Sequence, residues 1–197
     1  MAEGSYKYNQ EGHLPGAIKI GGWNQFGTLH NQPFGSGSPT VAVTFDSVPI
    51  KSDWAIYGII DQLFWRVPGS KDAKGIGLFV RVIGAPTEQI LVDFYADGGV
   101  TFSGMIPHRA DDILGIGFAY TGISNDVHGF DVGPGLPRAR SHEASLLEIC
   151  YTAQLKSGWT LHPDFQYIWQ PSGGSEPSGK GTIPNAAVWG VRTTINF

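Results

Sequence analysis

The segment Ala187-Val188-Trp189-Gly190-Val191-Arg192-Thr193-Thr194-Ile195-Asn196-Phe197 closes the chain and decides how it is read. Ala187, Trp189, Val191, Thr193, Ile195 and Phe197 fall on one face of an extended strand, and Gly190, Arg192, Thr194 and Asn196 on the other. Successive side chains of a strand point to opposite sides, so this period of two describes a strand with one apolar and one polar face.

The same pattern recurs twice upstream. Between Ser145 and Leu155 the odd positions are Ser145, Leu147, Ile149, Tyr151, Ala153 and Leu155, against Glu148, Cys150, Thr152 and Gln154. A Lys156-Ser157-Gly158 turn follows. Trp159, Leu161, Pro163, Phe165, Tyr167 and Trp169 then oppose Thr160, His162, Asp164, Gln166 and Gln170. A sandwich and a barrel both contain such two-sided strands. The aromatic residues separate them. Trp159 opens its apolar face and Trp169 closes it beside Tyr167, the spacing of rings at two membrane interfaces. Trp159, Phe165, Tyr167, Trp169, Trp189 and Phe197 are therefore expected to face the membrane. Asp164, in mid-strand, costs little on a wet lumenal wall, whereas a dry core would have to supply a partner.

Working further outward, about eight strand-like segments are separated by Gly, Pro, Asn and Asp clusters. Helical periodicity is nearly absent. Ala144–Gln154 has a composition that would tolerate a helix, but its period of two is cleaner. Ile76, Leu78, Val80 and Val82 oppose Arg81; Leu114, Ile116, Phe118 and Tyr120 oppose Gly115, Gly117 and Ala119. Phe94, Ala96, Val100, Phe102 and Ile106 oppose Asp93, Asp97, Thr101 and Ser103, and Ile18 and Ile20 oppose Lys19. Trp54–Val67 groups Tyr57, Ile59, Leu63, Trp65 and Val67 against Gln62 and Arg66. Asp61 then falls on the wrong face, which requires a bulge or a protein-covered patch. Short connections around Pro68–Lys74, Pro107–Asp112 and Lys156–Gly158 alternate with long ones at Gly27–Ser52, Asn125–His142 and Pro171–Asn185, as in outer-membrane barrels. Thr87–Leu91 breaks the rule, being short in a long-loop position.

Composition agrees. Charged residues are 15% of the chain, below the roughly one quarter usual for soluble domains, while Gly numbers 28 and aromatics reach 12%. A net charge of −4 with singly scattered Lys and Arg excludes a nucleic-acid partner that works by counterion release. Cys150 is the sole cysteine, so neither an intrachain disulfide nor a CxxC metal or redox motif exists. No apolar run reaches the ~18–20 residues of a membrane-spanning helix, and Met1-Ala-Glu-Gly-Ser has no signal-peptide character. A mature form, a fragment or a truncated product is expected. No catalytic residues, metal ligands or cofactor are expected. The six His lack close ligand spacing, Gly-x-x-x-x-Gly-Lys is absent, and nothing fixes Glu148 and Asp164 at the separation of a glycosidase pair.

Four segments resemble the carbohydrate-selective outer-membrane porins of the OprB type. They are IYGIIDQLFWRVPG (Ile56–Gly69), DFYADGGVTFSGMIPHRADDILGIGFAY (Asp93–Tyr120), HPDFQYIWQPSGG (His162–Gly174) and IPNAAVWGVRTTINF (Ile183–Phe197), in the family's order. Gly21-Gly22-Trp23 is similar to a further strand of it. The resemblance implies an all-β fold of antiparallel transmembrane β-barrel strands, residues 1–197 being the C-terminal half of a sixteen-stranded porin barrel. It also implies passive diffusion of carbohydrates through the outer membrane of a Gram-negative bacterium, with no enzymatic step. A terminal strand ending in Phe resembles the signal read by the outer-membrane assembly machinery. Eight strands close around a core filled by side chains, whereas sixteen leave an aqueous channel. A second chain or a missing N-terminal half is thus expected to complete the barrel.

In the register of the strands, Lys19, Arg66, Arg81, Asp93, Asp97, Glu148, His162, Asp164, Gln166 and Arg192 are the expected pore-lining or sugar-contacting residues. Opposed charges there would orient hydroxyls, or would pair across the wall and stiffen it. The competing expectation is a soluble secreted β-sandwich that binds carbohydrate through exposed Trp and Tyr, and a weaker one is a glycoside-processing enzyme.

Overall fold

A computed structural model describes residues 1–10, 14–30, 49–70, 74–86, 92–123, 143–171 and 183–196. Nine strands follow in chain order: β1 Ala2–Tyr8, β2 Gly16–His30, β3 Pro49–Arg66, β4 Gly75–Gly84, β5 Val92–Ser103, β6 Ile113–Ile123, β7 Glu143–Lys156, β8 Trp159–Trp169 and β9 Ala186–Ile195. They form one sheet in sequence order, and each pairs antiparallel with the next. The connections β1–β2, β3–β4, β5–β6 and β7–β8, none longer than nine residues, lie at one end of this meander.

Register defines the two faces. Ile18 pairs with Ile60, and the row continues through Val80, Gly98, Phe118, Leu147, Tyr167 and Ala187. A parallel row runs Leu78, Val100, Ile116, Ile149, Phe165 and Trp189. Directly opposed side chains share a face, so these rows build a continuous apolar surface. It carries ring contacts between Phe94 and Tyr120, Phe118 and Trp169, and Phe165 and Trp189, the last pair with centroids 4.4 Å apart.

Among the described residues this surface is not packed against a second layer. Ala55, Leu63 and Ala153 are the buried apolar residues among those described, while Trp189 is 78% and Val191 73% exposed. A β-sandwich needs two sheets with their inner faces interdigitated. The described strands supply one sheet and leave its greasy side open, which overturns the sandwich expectation. Among the described residues no helix is long and apolar enough to cross a membrane.

Three expectations need correction. The strands number nine, because Ala2–Tyr8 forms β1 although AEGSYKY has little apolar content to mark it. In β3 the faces are the reverse of the sequence assignment. Ile60 pairs with Val80 on the apolar row, whereas Asp61 pairs with Ala17 and Phe79 on the other face. Tyr57, Ile59, Asp61 and Leu63 thus share the polar side, and Asp61 is no misfit. A register shift between Leu63 and Trp65 then returns Trp65 to the apolar row opposite Ile76. Gln62 stands on the apolar face instead, near the short-turn end. Its Oε1 accepts from the Tyr8 hydroxyl at 2.6 Å, and its Nε2 donates to the Leu63 carbonyl at 2.7 Å. Ile106 lies in the β5–β6 turn, bridged to Arg109, rather than on the strand.

Gly158 closes the β7–β8 turn with φ +76°, a left-handed conformation that strains any residue with a Cβ. A Cβ there would also lie 2.7 Å from the Asn196 carbonyl oxygen.

Candidate functional site: the polar face of the sheet

The second face carries the charges. One row runs Lys19, Ile59, Arg81, Asp97, Ala119, Leu146, Ile168 and Ala186. The next runs Ala17, Asp61, Phe79, Gly99, Gly117, Glu148, Gln166 and Val188. Below it, Cys150 opposes Asp164, which opposes Gly190, and His162 opposes Arg192. Lys19, Arg81, Asp97, Glu148, His162, Asp164, Gln166 and Arg192 therefore share this face. Arg66, past the β3 shift, pairs with Gly75 on the same side, and Asp93 sits at the register shift between Val92 and Phe94. The residues are spread along a wall over most of the sheet.

Within the wall, two groups come together. Arg81 donates from Nε and Nη2 to the two carboxylate oxygens of Asp97, both at 2.8 Å, and its guanidinium lies 5.5 Å from the Tyr95 ring centroid. A two-pronged pair of this kind fixes both side chains more firmly than a single contact. Three strands along, Gln166 Nε2 donates to Glu148 at 3.4 Å, and Thr152 Oγ1 lies 2.8 Å from His162 Nδ1. Glycines make the room these side chains use. A Cβ on Gly190 would fall 2.4 Å from Asp164 Oδ1, and one on Gly115 would fall 2.8 Å from Cys150 Sγ. Glu148 meets Gln166, and Asp164 lies over the open side of Gly190.

Sequence reasoning missed several members of this face. Tyr57 donates to Glu3 across β1–β3, and the Tyr95 ring lies under the Arg81 guanidinium. A cleft of about 370 Å³ is bordered by Lys7, Asp61, Phe79, Thr101 and Ser103, none of them expected there except through strand parity. That parity was the available signal: an acidic residue in an otherwise apolar set marks the set as facing water.

At the short-turn end, Asp112 caps the wall. Burial by itself would raise its pKa, but hydrogen bonds from the Tyr151 hydroxyl, Arg109 and the Gln154 N–H outweigh it and hold the carboxyl below its usual range. The same contact raises the Arg109 pKa. Of the aromatics expected to face the membrane, Trp159, Phe165, Tyr167, Trp169 and Trp189 lie on the apolar face by register. Phe197 lies outside the described residues.

A sheet with one charged and one lipid-like face has the pattern of a pore wall, and sequence comparison agrees. The carbohydrate-selective porin, OprB family, matches over residues 2–197. The chain belongs to that family. Among curated proteins, none matches it. A solved OprB from Pseudomonas putida, determined at high pH, superimposes with a TM-score of 0.80 at 21% identity, covering 99% of this chain and 47% of that one. This likeness shows the porin barrel fold, and the chain spans about half the length of the solved protein.

Proposed function

We propose that this chain forms part of the wall of an outer-membrane pore in a Gram-negative bacterium, and that carbohydrates diffuse passively through the pore. The observation that carries the reading is the sidedness of the single sheet. A continuous apolar face stands exposed on one side, and on the other lie acids, bases and amides suited to hydroxylated solutes. No covalent chemistry is asked of them.

Residues 1–197 act in this reading as one incomplete barrel domain. Within the described sheet, β1 and β9 are edges, each paired on one side. Hydrocarbon offers no hydrogen-bond partner to an open edge, so further strands must cover both. These come from additional porin sequence or from a second chain. The apolar face meets outer-membrane lipid, and the closing strand is the segment presented to the assembly machinery. Lys19, Arg66, Asp93, Asp164 and Arg192 line the passage. Arg81–Asp97 and Glu148–Gln166 both line it and brace it.

The test is ion conductance of the completed barrel in planar bilayers. The proposal expects open channels whose current falls reversibly as sugar is added. A protein that stays monodisperse in buffer without detergent, or channels indifferent to every sugar tried, would refute it.

A further inference from the structure

We propose that Glu148, Cys150 and His162 form a binding site for a borderline-soft divalent cation, with Zn²⁺ the best match, on the polar face of the β7–β8 hairpin. One donor atom from each of the three lies within 4.8 Å of the other two. Glu148 and Cys150 are two residues apart on β7 and so share a face. The pairing of Cys150 with Asp164 and of Ala153 with Leu161 sets His162 opposite Thr152, diagonal to the thiol. Sequence spacing alone gave no sign of this grouping, because the third donor is brought in through the β7–β8 turn.

The donor set selects the ion. One sulfur, one imidazole nitrogen and one carboxylate oxygen suit Zn²⁺, whereas Mg²⁺ and Ca²⁺ take oxygen ligands. Tetrahedral coordination sets ligand atoms about 3.5 Å apart. Closing from the observed spacing takes about an ångström of movement by half-exposed side chains. Three protein ligands leave the fourth position to water or to a solute hydroxyl.

Each ligand also has a neighbour that orients it. The missing Cβ of Gly115 seats the thiol, since a Cβ would lie 2.8 Å from Sγ. Thr152 Oγ1 is 2.8 Å from His162 Nδ1. An Nδ1–H donated to that hydroxyl leaves the Nε2 lone pair for the ion, the usual arrangement of a ligating imidazole. Gln166 holds Glu148. Asp164 faces the group from β8 as a further negative charge and Arg192 from β9 as a positive one. Binding replaces the thiol proton by the ion and releases that proton to solvent, so affinity rises with pH. The site rests on hairpin geometry and stands whether or not the pore conducts sugar.

The test uses the completed barrel in detergent micelles, stripped with a chelator, with Co²⁺ as a spectroscopic probe and Zn²⁺ as its competitor. One Co²⁺ per chain, a thiolate-to-cobalt charge-transfer band and displacement by Zn²⁺ are expected. Cys150→Ser should remove the band. His162→Ala and Glu148→Gln should each weaken binding tenfold or more, and Thr152→Val by about 10–100-fold. Thr152→Ser, which keeps the hydroxyl, should bind as the parent does. A second readout needs no variant: Zn²⁺ should slow alkylation of Cys150 at least tenfold. Absence of both band and protection would overturn the site. Binding undiminished in both His162→Ala and Glu148→Gln would also overturn it, leaving a simple thiol adduct.

Discussion

Arg81 and Asp97 stand directly opposite each other on β4 and β5, joined by two hydrogen bonds of 2.8 Å on the polar face. The pair is asymmetric. The Asp97 side chain is 14% exposed and that of Arg81 43%, with Tyr95 beneath the guanidinium. Removing the base strands a half-hidden carboxylate; removing the acid leaves a solvated cation that still rests on a ring. Arg81→Ala should therefore destabilise more than Asp97→Asn. The pair's own coupling, screened by water, should be about 1 kcal/mol or less in a double-mutant cycle. Urea unfolding in lipid vesicles measures both. Equal losses from the two single variants would contradict the asymmetry.

Phe165 packs its ring at a tilt against Trp189 on the apolar face, while Gln166 beside it points to the charged one. Phe165→Arg should cost roughly 2–4 kcal/mol if the position lies near the bilayer midplane, and Trp159→Lys less, nearer an interface. Gln166→Arg should be tolerated, with a change within about 1 kcal/mol. Folding titrations in lipid vesicles compare the three. Unchanged assembly of Phe165→Arg would show the face to be wrongly assigned.

Acid should loosen the short-turn end through Asp112. Its folded pKa is depressed, so its contribution to stability is fully present above the unfolded carboxylate pKa of about 3.9 and is lost as pH falls through the lower folded value. Below about pH 4 the parent should therefore lose thermal stability faster than Asp112→Asn, which has no proton to take up there. The unfolding midpoint of each, followed downward from pH 5, gives the comparison; parallel curves would contradict the role of Asp112.

Gly158→Ala should destabilise the β7–β8 hairpin by about 1–2 kcal/mol, from its left-handed backbone and from crowding of the Asn196 carbonyl. Denaturant midpoints measure the loss. A neutral or stabilising result would mean that the turn has another conformation.

The strands from β7 onward were legible because their alternation is long and unbroken, and the Lys156-Ser157-Gly158 turn marks their register. β3 was misread for a physical reason. Its polar-face residues include Tyr57, Ile59 and Leu63, as apolar as the set on the opposite face, and only Asp61 betrayed the side. The shift between Leu63 and Trp65 has no marker in the sequence, so one strand mixes two parities. β1 escaped notice because AEGSYKY offers no apolar stripe. On the wall, charged positions could be assigned to a side from parity alone. Which of them touch depends on inter-strand register, and that is why the Arg81–Asp97 fork and the Glu148–Cys150–His162 group emerged only in three dimensions.

Sidedness of the sheet is the central claim, and β3 tests it most directly because its two faces resemble each other. Single cysteines at 56 through 61, placed in a Cys150→Ser background and assembled in outer membranes, can be challenged with a charged, water-soluble maleimide. Tyr57→Cys, Ile59→Cys and Asp61→Cys should react, while Ile56→Cys, Gly58→Cys and Ile60→Cys should stay unlabelled until the membrane is dissolved. Equal labelling of both sets, or the opposite alternation, would contradict the account of this chain as a pore wall with lipid on one side and water on the other.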